Sequence, residues 1–113
     1  MESIQHPISE VGPDRAYECV KQGEGVIVDV REVDELQQIS IPNALHIPLG
    51  QLQSRQSEIP RDRDVFFLCH VGQRSAMATE YFQQLGFERV HNIQGGVIAW
   101  IKARLPAEWG SGS

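Results

Sequence analysis

Two unbroken apolar runs, Val26-Ile27-Val28 with Val30 just beyond Asp29, and Val65-Phe66-Phe67-Leu68, constrain this chain most. Neither alternates apolar with polar residues, as a strand with one wet face would. Short continuous runs rich in β-branched residues suit strands buried on both faces, and such strands belong to parallel sheets covered by helices. The segments between them carry helical signals. Gly12-Pro13 places a proline at the start of a helix that ends near Gln22-Gly23. A short helix is expected over 32–38, and a helical turn over 49–54. Ala78, Tyr81, Phe82 and Leu85 fall at i, i+3, i+4 and i+7, which makes one helical face closed by Gly86. Further strands are expected at 44–47 and 89–93, and a last helix over 97–104. Strands alternating with helices give an α/β class with a central, mainly parallel sheet flanked by helices in three layers.

The chain's 113 residues fit a single domain, expected over 6–106, after an N-terminal segment 1–5 and before a flexible tail 107–113. The formal net charge is -5, and the eight Arg and two Lys are scattered. That balance disfavours nucleic acid as a partner, because backbone phosphates require a basic surface. No apolar run approaches the roughly 20 residues that would cross a membrane. The first residues have neither the basic nor the apolar region of a secretory leader. A reducing, cytoplasmic setting with free Cys19 and Cys69 is therefore expected. His6, His46 and His91 are too far apart for ligand spacing, so no metal is expected, and no cofactor. Cys19 is expected to pack within the first helix.

In parallel sheets, sites lie beyond the C-terminal ends of the strands. Cys69 stands at such an end, opening Cys69-His70-Val71-Gly72-Gln73-Arg74-Ser75 before a helix. A tight loop running into a helix leaves several N–H groups without backbone partners, and if these converge they bind anions. A thiol placed there is expected to favour its thiolate, with the guanidinium of Arg74 pointing back at it, and to act as a nucleophile. An inert core cysteine would have no use for the glycine-bent loop. Ser75 is expected to cap the following helix, its hydroxyl facing the loop.

These motifs resemble the rhodanese family of sulfurtransferases over nearly the whole chain. Val28-Asp29-Val30-Arg31-Glu32 is similar to its Asp-x-Arg strand end, and residues 69–76 to its Cys-x-x-Gly-x-Arg-Ser-Ala active loop. Leu85-Gly86-Phe87, Val90, Gly95-Gly96 and Ala99-Trp100 are similar to its C-terminal signature. One segment departs. Ile39-Ser40-Ile41-Pro42-Asn43-Ala44 stands where the family has Gly-His-Ile-Pro-Gly-Ala, and it reads as structural.

The resemblance implies a thiosulfate sulfurtransferase. Cys69 would take a sulfane sulfur from a small anionic donor as a persulfide and pass it to cyanide or a thiol. His70, Val71, Gly72, Gln73, Arg74 and Ser75 would bind the substrate, with Asp29 and Arg31 in support. A sulfur-relay or interaction module delivering sulfur to a partner protein is the alternative. Cysteine phosphatases, built on related folds, have five residues between Cys and Arg. Four residues separate Cys69 from Arg74, which resembles the sulfur-handling branch.

Overall fold

The computed structural model describes residues 7–110. Five strands form one sheet: β1 (Glu10–Val11), β2 (Gly25–Asp29), β4 (Leu45–His46), β5 (Asp64–Leu68) and β6 (Val90–Ile93). Their spatial order is β1-β6-β5-β2-β4, and every pairing is parallel. In the β2–β5 register, Ile27 lies beside Phe66 and Val28 beside Phe67. Neighbouring side chains alternate between faces, so each apolar run feeds two cores. Ile27, Phe66, Leu68 and Ile93 pack with Ala16 and Trp100, which belong to α1 (Pro13–Lys21) and α4 (Gly96–Lys102). Val28, Val65, Phe67 and Val90 pack with Ala78 and Phe82 of α3 (Gln73–Gln84). This double coverage is why the runs are unbroken, and it bears out the three-layer α/β expectation.

Pro13 opens α1, with Gly12 as its N-cap. The short helix α2 (Val33–Gln38) begins with a reciprocal capping box between Glu32 and Glu35. The expected turn over 49–54 is a 3-10 turn at Leu49–Gln51.

The described part of the expected flexible tail 107–113 is instead held in place. Glu108–Trp109 (β7) pairs antiparallel with Ile39–Ser40 (β3), and the N–H of Gly110 donates to the carbonyl of Gln38 at 2.8 Å. The chain approaches β3 because the Trp100 indole N–H holds the carbonyl of Pro106, while Leu105 and Ala107 pack onto the α1–α4 core. Residues 111–113 and His6 lie outside the described residues. In the divergent 39–44 segment, β3 is followed by a turn with Asn43 at φ 67°, a left-handed position that asparagine tolerates.

Among the described residues, no helix is long and apolar enough to cross a membrane.

Candidate active site

Cys69 follows β5 at the C-terminal edge of the sheet and is only 1% exposed. The loop then turns at Gly72, whose φ of 105° lies in the left-handed region where a side chain is strained. This turn aims two backbone N–H groups at the sulfur. That of Gly72 reaches Cys69 Sγ at 3.1 Å and that of Ser75 at 3.3 Å. The Ser75 hydroxyl stands 3.2 Å from the same atom. Two convergent N–H groups of this kind form a nest that holds an anion.

The loop is also gripped from behind. The N–H groups of Val97 and Ile98, in the first turn of α4, donate to the carbonyls of Cys69 (2.8 Å) and His70 (3.2 Å). This is the role of Gly95-Gly96. A Cβ on Gly96 would lie 2.5 Å from both carbonyl oxygens, so only glycine lets the helix come this close.

Two expectations are corrected. Helix α3 begins at Gln73 with Gly72 as N-cap, and Ser75 lies inside its first turn, making no cap. Its buried hydroxyl turns to Cys69 Sγ and to Asn92 Oδ1. The guanidinium of Arg74 makes its side-chain hydrogen bonds to Glu35, not to the thiol. It forms a two-pronged bridge to Glu35 of α2, with both N···O distances 2.8 Å. A carboxylate accepts two parallel N–H bonds in the plane of the guanidinium, a geometry that one sulfur atom cannot match. The Arg74 hydrogen bonds hold the Glu35 carboxyl down at about 2 and push Arg74 itself up.

Asp29 and Arg31 are buried and hold each other, with Arg31 Nη2 2.8 Å from Asp29 Oδ2 and 3.0 Å from the Ile39 carbonyl. They tie β2 to β3, away from the sulfur's hydrogen bonds. His70 and Gln73 are exposed, as is Val71 at 50%. The loop thus brings together Cys69, Gly72 and Ser75, leaves the side chains of residues 70, 71 and 73 at the surface, and ties Arg74 to α2. Sequence reasoning missed Glu35 and Asn92. Asn92 had a readable signal: it shares a strand face with buried Val90, so a polar side chain points inward there.

Cys19 is half-buried, and its thiol donates to Asp64 Oδ2 at 3.8 Å. Burial, then the charges of Asp64 and Glu24, push this thiol up. Among the described residues, no group of three His, Cys, Asp or Glu is placed to hold a metal.

A covered parallel sheet with a cysteine loop at its strand ends, cradled by amides and backed by a diglycine helix start, defines a class of domain built around one cysteine. Residues 12–103 match the rhodanese-like domain family, and the chain belongs to that family. It is 40% identical over 100 residues to a sulfurtransferase of Allochromatium vinosum, spanning 88% of this chain and 94% of that protein. It is 27% identical over 107 residues to the thiosulfate sulfurtransferase GlpE of Glaesserella parasuis, spanning 95% and 99%. The crystal structure of a rhodanese-related protein from Thermoplasma volcanium superposes with a TM-score of 0.80 at 32% identity, covering 88% of this chain and 97% of that one. Sulfur transfer is the activity this family membership supports.

Proposed function

We propose that the protein is a thiosulfate-type sulfurtransferase working through a persulfide on Cys69. The observation that carries this reading is the convergence of the Gly72 and Ser75 amides on Cys69 Sγ. The Cys69 thiolate attacks the outer sulfur of thiosulfate, a new S–S bond forms, and sulfite leaves with the electrons of the old one. The negative charge then sits on the outer sulfur of the persulfide. Cyanide or a thiol takes that sulfur, and the electron pair of the broken bond returns to Cys69 as the thiolate. Burial of Cys69 supports a small donor, and the persulfide places the transferable sulfur one bond length further out.

Arg74 stands at the rim already paired with Glu35, so an anionic donor competes with a carboxylate for it. A second reading, delivery of sulfur to a partner protein, is favoured by the apolar side chains exposed close to the loop in sequence, Val71 and, one turn into α3, Met77 at 61%.

The test is intact mass after incubation with thiosulfate. Wild type and Cys19→Ser should gain one sulfur atom, removable by cyanide as thiocyanate, and Cys69→Ser should gain none. A wild-type protein without the adduct, or Cys69→Ser that retains it, would overturn the assignment.

A further inference from the structure

Asn92 of β6 is buried at 1% exposure, and its carboxamide touches three partners. Nδ2 lies 3.0 Å from Glu10 Oε2 and 3.2 Å from the Gly72 carbonyl oxygen. A carboxylate and a carbonyl only accept, so they fix the orientation of the amide. Oδ1 therefore faces Ser75 Oγ, 2.5 Å away, and Ser75 must donate to it. The same hydroxyl is 3.2 Å from Cys69 Sγ. It has one proton and two claimants.

We propose that Asn92 is a positioning residue that governs Cys69 by holding the single hydroxyl proton of Ser75. With Cys69 as a thiol the chain is complete: Sγ–H donates to Ser75 Oγ, and Ser75 Oγ–H donates to Asn92 Oδ1. With Cys69 as a thiolate, the hydroxyl must leave Asn92 to serve the sulfur, which strands a buried carbonyl oxygen, or else stay and leave the thiolate with only its two amide donors. Either way Asn92 works against the thiolate and keeps Cys69 a more basic, stronger nucleophile. In the persulfide the inner sulfur is uncharged and needs no third donor, so the hydroxyl stays with Asn92. Asn92 therefore favours the loaded state over the empty thiolate.

This inference rests on Cys69 being the nucleophile, and its test uses no sulfur donor, so the two readings fail separately. In a Cys19→Ala background, the rate of Cys69 alkylation by iodoacetamide is followed against pH by mass spectrometry. Asn92→Leu should lower the midpoint of the profile by about half to one pH unit, because the freed hydroxyl turns to the thiolate. Where Ser75 has been replaced by alanine, adding Asn92→Leu should leave the midpoint unmoved. A folded Asn92→Leu with an unmoved midpoint overturns the proposal. So does an equal shift with Ser75 absent, since Asn92 would then act through Glu10 or Gly72. A measurement without any change at Asn92 guards against misfolding. The Raman S–H band of Cys69 in the Cys19→Ala protein should sit at its hydrogen-bonded position and move to the free position in Ser75→Ala. A band already at the free position in the parent overturns the relay.

Discussion

The two cysteines occupy opposite ends of the same sheet and meet opposite surroundings. Cys69, past the C-terminal end of β5, is ringed by N–H donors from a loop and a helix start. Cys19 sits beside Asp64, the first residue of β5, and faces carboxylates. Cys69 is the more buried of the two. Cys19 is the more open, yet the burial it has, and then the charges of Asp64 and Glu24, push its thiol up. The two thiols differ in the groups that face them, N–H donors at Cys69 and a carboxylate at Cys19.

The largest expected break in this contrast comes from the glycines beneath each sulfur. Gly96→Ala drives a Cβ into two carbonyl oxygens at a φ of 59°. It should destabilise the fold by about 2–4 kcal/mol in urea titration and abolish sulfur loading. Gly25→Ala meets mainly side chains, Phe66 Cε2 at 2.8 Å and Cys19 Sγ at 2.9 Å, with the Asp64 carbonyl at 3.0 Å. It should cost about 1–3 kcal/mol, as overpacking does, and leave loading intact.

Next is the direct contest between the thiols. With limiting iodoacetamide at neutral pH, peptide mapping should find Cys69 labelled about tenfold or more ahead of Cys19. Equal labelling would mean that access decides after all. Asp64→Asn sharpens this from the other side: removing the charge that helps hold the Cys19 proton should raise Cys19 labelling by about two- to fivefold without moving Cys69.

The smallest effect belongs to the rim. The folded Glu35 carboxyl lies at about 2, below its ordinary 4.5. Its contribution is therefore present above pH 4.5 and is lost as pH falls toward 2. The pair is partly exposed, so the loss should be about 1 kcal/mol or less. It should disappear in Glu35→Gln, as read by denaturant midpoints at pH 3 and pH 7.

The strands, the core helices and the Cys69 loop are legible in sequence because apolar period and glycine placement encode them locally. The two amides on the sulfur come from the Gly72 turn and from the start of α3 behind it. What escapes is long-range and polar. Glu35 finds Arg74 across 39 positions, and its helix has no buried residue to signal where it docks. Arg74 gives its hydrogen bonds to Glu35 because a carboxylate accepts both prongs of a guanidinium. Strand β7 escapes because two residues carry no period, and their pairing depends on where β3 already lies. Asp29 and Arg31 are legible as a charged pair at a strand end, and they hold each other and the Ile39 carbonyl.

The placement of the cysteines also decides how the protein can recover from oxidation. The length of β5 lies between the two sulfurs, about 16 Å at strand rise. A disulfide needs Cα atoms within about 7 Å, so neither cysteine can resolve the other. A sulfenic acid formed on Cys69 by peroxide would have no partner within the chain, and its rescue falls to a thiol from outside. Whatever Cys69 takes on, sulfur or oxygen, must leave with a visitor.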